Sequence, residues 1–325
     1  MIISVGSHIH WPESLLTKHG LEPAPRRWAP AGLDGIQGPS ARLAIQKRDG
    51  IDAEVLVHSG YPALTTLSHD RRATIIRDFN SWIADFAAHD SSRLAAIGEL
   101  PFWDTDAAVQ EAKRIAKLGL RGVIIPAVPG RQGPWSPPAS GKYGDAAYTS
   151  LWRELEDNGM ALVVHSEVQL IGGQPTDIKS MVDMVTSRGL PSETATSLIT
   201  GHVFENYPGL KLVCIESGVS WMAQTMDWLD NLVREHPAVF PDVRTNPSAQ
   251  FRDHVFGTIA WDLTDSEDSN EFQMANLLWT SDAGSDDHTR LARINRVRDN
   301  LQSMGRNDIL ARNAVSTFRL KTPIV

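Results

Sequence analysis

Two histidines near the start of the chain, His8 and His10, are the residues whose type and spacing most directly suggest chemistry. They follow a short apolar run, and side chains two residues apart in a β-strand leave the same face of that strand. Both imidazole rings would therefore point to one spot at the carboxyl end of a first strand, predicted over residues 1–7. A catalytic metal ion takes about three or four protein ligands and keeps one position open. The pair alone is a weak motif, but it predicts one corner of a metal site.

Further candidate ligands and acids stand at the ends of other predicted strands. His58 ends the run DAEVLVH, His165 ends MALVVH, and Glu216 ends LKLVCIE. Asp262 closes VFGTIAWD and Asp282 closes NLLWTSD. Two histidines from the first strand, one from the fifth and a carboxylate from the eighth could converge on one divalent cation. In that arrangement Asp282 could ligate the ion or accept a proton from water.

The elements that must position these side chains alternate between strands and helices along the chain. Strands separated by helices predict a parallel sheet, and eight such units in 325 residues suit a closed (β/α)8 barrel, which needs about 250 residues. Barrel active sites lie at the carboxyl ends of the strands, where the candidate residues stand. A doubly wound open sheet is the alternative, but no Gly-rich phosphate loop follows the first strand. We predict a TIM barrel in a single domain, residues 1–325.

Two Pro- and Gly-rich segments interrupt the alternation, one after the first strand (residues 11–39) and one after the fourth (residues 128–145). Both are predicted to be long loops, and loops of this length in compact domains often cover binding sites. The helix after the second strand is predicted to begin with Asp70 as its N-cap. Another helix is expected over 176–188. The fourth strand has no Lys at its end to bridge two ions, which favours a single metal.

Composition narrows the kind of partner. A hydrophobic content of 42% and a charged content of 22% are ordinary for a soluble globular protein. The formal charge of −8, without a Lys/Arg-rich run, argues against a nucleic-acid partner and favours a small-molecule substrate. The single cysteine, Cys214, excludes an internal disulfide and fits a reducing compartment. No signal peptide or membrane span is recognised, so a cytoplasmic protein is expected.

The chain resembles the amidohydrolase superfamily along nearly its whole length, in the amidohydrolase-related branch that contains aminocarboxymuconate-semialdehyde decarboxylase and γ-resorcylate decarboxylase. The resemblance rests on segments that are similar to the family in position and in sequence: SHIH, RLAIQKRDGIDAEVL, RDFNSWIADF, SRLAAIGELP, LGLRGVIIP, VFENYPGLKLVCIESGVSWM, LLWTSD and ARNAVSTF. It implies a mononuclear metal site whose ligands are His8, His10, His165 and Asp282. The expected cofactor is one divalent ion, zinc first and manganese as the alternative.

The resemblance also implies roles for residues around the metal. The residue that ends the sixth strand, typically His in the decarboxylases, is Glu216 here and is expected to act as an acid/base group together with Asp282. His58 is a further catalytic candidate because of its position at the end of the second predicted strand, independently of the resemblance. Arg42 lies where the decarboxylases carry an Arg that grips a substrate carboxylate, and Trp11 is expected to help line the substrate pocket.

Three functions follow from these residues. The leading hypothesis is non-oxidative decarboxylation of a small aromatic or unsaturated carboxylic acid by a metal-dependent carboxy-lyase. The alternative keeps the same site but hydrolyses a C–N, C–O or activated C–C bond in a small cyclic or aromatic substrate. The third is a non-catalytic barrel with a binding role, against which the full ligand set argues. The family often forms dimers, and the sequence neither confirms nor excludes a homodimer.

Overall fold

Eight parallel strands form one sheet whose neighbours follow chain order, the topology of a (β/α)8 barrel. The computed structural model describes residues 1–22, 38–58, 64, 66–127, 142–165, 182, 185–240, 243–259, 275–281 and 288–321. The strands are β1 (Ile3–Ile9), β2 (Ala53–His58), β3 (Leu94–Glu99), β4 (Gly122–Ile124), β5 (Ala161–His165), β6 (Leu212–Ile215), β7 (Val255–Ile259) and β8 (Leu277–Trp279). The predicted barrel is confirmed.

Helices separate most consecutive strands. In the described part of the chain they are α1 (Glu13–Lys18), α2 (Pro39–Asp49), α3 (His69–Ala88), α4 (Thr105–Lys117), α5 (Thr149–Asp157), α6 (Leu190–Thr200), α7 (Val203–Asn206), α8 (Ser220–Glu235), α9 (Pro247–His254), α10 (His288–Ser303) and α11 (Asn313–Phe318). A 3-10 turn (Ala146–Tyr148) precedes α5, and a π-helical turn (Asp308–Arg312) precedes α11. Among the described helices, none is long and apolar enough to cross a bilayer.

The strands are buried on both faces, which explains why their sequences are almost continuously apolar. An inner cluster fills the barrel and includes Val5, Val57 and Val163. A larger outer cluster lies between the strands and the helices and includes Leu56 and Phe79. Alternate residues of each strand supply the two clusters, as a period of two requires.

Strand β1 breaks this alternation at Gly6, where the register with β2 shifts between Val5 and Ser7. Gly6 has φ +88°, in the left-handed region that favours glycine. Val5 pairs with Val55 and His8 pairs with Val57, and both of those β2 residues belong to the inner cluster. The bulge therefore puts His8 on the same side as Val5, although their positions differ by three and a regular strand would place them on opposite sides.

Local details differ from the sequence predictions in three places. Strand β1 extends to Ile9 rather than ending at Ser7, so His8 lies within it. Helix α3 has Ser68 at its N-cap, because residues 69 and 70 already have helical conformation, so the prediction of Asp70 as the cap is wrong. The predicted loop after the first strand begins with helix α1. Most of both long loops, and most of the helix expected over 176–188, lie outside the described residues.

Candidate functional site

Three side chains meet at the carboxyl-terminal mouth of the barrel: His8 from β1, His165 from β5 and Glu216 just after β6. The Nε2 atoms of the two histidines are 3.1 Å apart. Glu216 places Oε1 3.4 Å from His8 Nδ1 and Oε2 3.4 Å from His165 Nε2. His165 is buried, whereas the Glu216 side chain is one-third exposed, at 33%. The cluster is therefore buried at His165 and open to the mouth of the barrel at Glu216.

The backbone at Glu216 brings its carboxylate over the two imidazole rings. Strand β6 ends at Ile215, and Glu216 then adopts φ +56°. A left-handed conformation costs a residue with a Cβ roughly 1–2 kcal/mol. The Glu216 N–H is held by the hydroxyl of Thr258 on the neighbouring strand β7, at 3.2 Å. Strain at a residue that carries a functional group is the pattern expected where the fold fixes a side chain for chemistry.

The three donors suit one divalent ion. Each side chain offers one potential ligand atom, and these three atoms all lie within 4.8 Å of one another. Two ligands about 2.1 Å from a tetrahedral ion are about 3.4 Å from each other. The distances of 3.1 and 3.4 Å from His165 Nε2 to its two neighbours match that spacing. Two imidazoles and a carboxylate are also a donor set typical of catalytic zinc sites.

The other two predicted ligands stand differently. Asp282 lies outside the described residues, one position beyond Ser281. His10 follows the end of β1, and the His8–His165–Glu216 group does not include it. Burial of the ring lowers the pKa of His10, and the nearby charges of His8 and Arg42 lower it further. A neutral imidazole is the form that binds a metal, so this shift is compatible with His10 as a ligand. The roles of His10 and Asp282 as ligands stay predictions.

His58 occupies a buried position between β2 and helix α3. Its ring packs edge-on against Trp11 and Phe79, at centroid distances of 5.8 and 5.0 Å, and both aromatic residues belong to the outer cluster. Its Nε2 lies 3.3 Å from Oε2 of Glu99 at the end of β3. Trp11 also stacks on Phe79 at 4.2 Å. These contacts hold His58 and Trp11 in the packing against α3, and the predicted roles of both residues stay predictions.

Glu99 was missed by the sequence reasoning, although it ends a strand like the other candidates. Burial raises the pKa of Glu99 to about 8, and the positive charge of Arg72 lowers it by less. Burial therefore favours the protonated form of this carboxyl group in the folded protein. Its position at the end of SRLAAIGE was the available signal, since barrel active sites lie at the carboxyl ends of the strands.

Arg42 is buried in the contact between α2 and β2. Its guanidinium binds the Glu54 carboxylate through Nε at 2.7 Å and Nη2 at 3.0 Å. Its Nη1 donates to the backbone carbonyl of His8 at 3.0 Å. Gln46 donates to the same Glu54 carboxylate at 2.7 Å. In these contacts Arg42 supports the backbone of His8. Its predicted contact with substrate stays a prediction.

A sequence profile of the family described as Amidohydrolase matches residues 6–293, which is most of the chain and includes β1 from Gly6 onward and all of β2 to β8. The chain belongs to the amidohydrolase family. The predicted membership is thereby confirmed. The matched range contains His8, His165 and Glu216, so the cluster at the barrel mouth lies within the part of the chain that defines the family.

A curated relative is the 2-amino-3-carboxymuconate-6-semialdehyde decarboxylase of Dictyostelium discoideum. It is 29% identical over 189 residues, which are 55% of this chain and 47% of the relative. The chain thus spans about half the length of the curated relative that it matches.

Solved structures of this fold cover the chain almost completely. An amidohydrolase of Mycobacterium avium subsp. paratuberculosis K-10 superposes with a TM-score of 0.76 at 17% identity, over 98% of both chains. The 5-carboxyvanillate decarboxylase of Sphingomonas paucimobilis gives 0.66 at 18% identity, over 98% of this chain and 99% of that one. A dihydroxybenzoic acid decarboxylase of Polaromonas sp. JS666, with bound manganese and the inhibitor 2-nitroresorcinol, gives 0.68 at 17% identity, over 98% and 96%. These likenesses establish the barrel fold.

Proposed function

We propose that this amidohydrolase catalyses the metal-dependent, non-oxidative decarboxylation of a small aromatic or unsaturated carboxylic acid. The observation that carries the proposal is the convergence of His8, His165 and Glu216 at the mouth of the barrel, with spacings suited to one divalent ion. The curated relative and two of the superposed structures are decarboxylases by name, which supports this reaction over others of the family.

His8 and His165, together with the predicted ligands His10 and Asp282, would hold the ion. When bound, it supplies a Lewis acid that polarises an oxygen of the substrate. Zinc is the expected metal, and manganese is the alternative because a relative of the same fold contains it. The Arg42 contact with the His8 carbonyl keeps the first of these ligands in place.

Glu216 is the group proposed to move the proton. Loss of CO2 breaks the bond between the ring or chain carbon and the carboxyl carbon and leaves the electron pair on the former. That carbon must then receive a proton, and the overall change is R–COO⁻ + H⁺ → R–H + CO2. The one-third exposed carboxyl group of Glu216 faces the mouth and can deliver this proton and regain it from water. Asp282 is the second candidate for this step.

Hydrolysis is the second candidate function, and the same carboxylate favours it. Both oxygens of Glu216 lie 3.4 Å from an imidazole nitrogen, which places a general base beside the metal ligands. A base there could take a proton from an attacking water and lead to cleavage of a C–N, C–O or activated C–C bond. The substrate in either case is a small molecule, and a homodimer stays a prediction.

The test is an assay of the purified protein loaded with zinc or manganese. CO2 release from 2,6-dihydroxybenzoate, 5-carboxyvanillate or 2-amino-3-carboxymuconate 6-semialdehyde supports decarboxylation. Cleavage of amides, lactones or esters without CO2 release supports hydrolysis instead. His165→Ala should abolish turnover, while His236→Ala, at an exposed position after α8, should not change it. A protein that binds neither metal would overturn both functions and favour the non-catalytic barrel.

A further inference from the structure

Three buried hydroxyl groups form a cluster beside the metal ligands, from Ser4 and Ser7 on β1 and from Ser281 just after β8. Ser4 Oγ is 2.8 Å from Ser7 Oγ and 2.9 Å from Ser281 Oγ. It also accepts a hydrogen bond from the backbone N–H of Ser281 at 2.8 Å. Ser4 and Ser7 have no exposed surface, and Ser281 is 5% exposed. We call these residues the serine cluster.

Ser4 is the centre of the cluster and uses its full capacity there. A serine hydroxyl has one donor hydrogen and two acceptor lone pairs. The contacts with Ser7 Oγ, Ser281 Oγ and the Ser281 N–H account for all three. A buried hydroxyl in this state is well satisfied, whereas removing it would leave the Ser281 N–H without its partner in a buried site.

The cluster lies at the seam where the barrel closes. Backbone pairing joins each strand to the next from β1 through β8, but in the described part of the chain no such ladder joins β8 to β1. At this seam the N–H of Ser281 is bound by the Ser4 side chain instead of by a β1 carbonyl. A side-chain contact therefore joins β1 to the residue just after β8 at this seam.

The seam is also next to the ligands. Ser7 immediately precedes His8, and it follows the bulge at Gly6 that turns His8 toward the inner side. Ser281 immediately precedes Asp282 in the chain. The His8 carbonyl is fixed from the other side by Arg42. The strand that carries His8 thus has one anchor at His8, toward α2 and β2, and one at Ser4, toward the end of β8.

We propose that the serine cluster is a positioning device that holds β1 against β8 and so determines the affinity of the His8 site for a divalent ion. The inference rests on the metal site of the proposed function, but not on which reaction that site performs. Groups that orient ligands without touching the metal typically change metal affinity about 10- to 100-fold when they are removed. Ser4, Ser7 and Ser281 are positioning residues in this sense.

The experiment measures the dissociation constant of zinc by competition with a chromophoric chelator, for wild type, Ser4→Ala and Ser7→Ala. Ser248→Ala is the matched control, because Ser248 is also 5% exposed and hydrogen-bonded but lies on α9, in contact with Asn246 and Arg252. We expect the zinc dissociation constant of Ser4→Ala to rise by about 10-fold or more and that of Ser7→Ala to rise by less. The control should bind zinc as wild type does.

The outcomes separate this inference from the proposed function. If Ser4→Ala is folded by circular dichroism and binds zinc as tightly as wild type, the inference is overturned. If Ser4→Ala does not fold, Ser7→Ala decides, because it loses one hydroxyl contact and keeps the Ser281 N–H bond to Ser4. An equal loss of affinity in Ser248→Ala also overturns the inference. If wild type binds zinc but releases no CO2, the proposed decarboxylation is overturned, whereas the proposed role of the serine cluster in zinc affinity is not affected.

Discussion

Glu216 combines a strained backbone with a carboxyl group, and substituting it distinguishes a role in metal binding from a role in proton transfer. Glu216→Gln keeps the size of the side chain but removes its ability to transfer a proton. We expect kcat to fall by about 10²- to 10⁴-fold, the usual contribution of a general acid or base. The metal content, measured by elemental analysis, should fall by much less, because two imidazole rings remain. Glu235→Gln removes the same carboxyl group from an exposed position on α8 and should leave kcat unchanged. Loss of the metal with loss of activity would instead assign Glu216 as a ligand.

Glu99 predicts how stability changes with pH. Its pKa is about 8 in the folded protein, whereas an ordinary glutamic acid has 4.5. Between these values the folded chain keeps a proton that the unfolded chain has released. The stabilisation is therefore complete below pH 4.5 and is lost as the pH rises through 8, by at most about 1.4 kcal/mol per pH unit. The charged or titratable neighbours are His58 and Arg72.

Glu99→Gln should remove this dependence, because the amide does not titrate. The free energy of unfolding in urea, measured for metal-free wild type and variant from pH 5 to pH 8, should fall more steeply with pH in wild type. Relative to wild type, the variant gains stability as the pH rises. Glu235→Gln should run parallel to wild type. Parallel curves for Glu99→Gln would show that the carboxyl group is ionised in the folded protein at neutral pH.

At the scale of elements, the bulge in β1 is tested by a pair of glycines with the same backbone angle. Gly6 and Gly119 both have φ +88°, so replacing either with Ala incurs the left-handed strain, roughly 1–2 kcal/mol. A Cβ at Gly6 would lie 2.8 Å from Ile215 Cγ2, whereas nothing lies within 4 Å of one at Gly119. We expect Gly6→Ala to lose about 1–3 kcal/mol more stability than Gly119→Ala in urea unfolding. Equal losses would show that the Ile215 side chain moves aside without cost.

The strands were predictable and the bulge was not, for one physical reason. Burial on both faces leaves an apolar run whose end is marked by the first polar residue, and this placed His58 at the end of β2 and His165 at the end of β5. The same uniform apolarity carries no information on register. Gly6 could equally have been an unremarkable strand residue, and only its φ and the shift between Val5 and Ser7 reveal the bulge.

At the scale of the whole molecule, barrel topology made the candidate site predictable from strand ends alone. His8, His165 and Glu216 are far apart in sequence, but their strands β1, β5 and β6 all end at one mouth, and the structure brings the three together. The supporting contacts depend on side-chain packing between elements and could not be predicted from the sequence in this way. Arg42 bound to Glu54 is an example, because the same arginine was expected to contact substrate.

A metal ion that joins side chains from β1 and β5 should also stabilise the whole barrel, because it binds only when these strands are folded together. A ligand at 100 times its dissociation constant adds about 2.7 kcal/mol to the free energy of unfolding. We expect a chelator to lower the melting temperature and added zinc or manganese to restore it. His165→Ala should lose the response, since His165 lies close to both other members of the cluster, whereas His236→Ala should keep it. A melting temperature unchanged by both chelator and added metal would show that neither ion binds the folded barrel, whereas a response that His165→Ala retains would place the bound ion away from the mouth of the barrel.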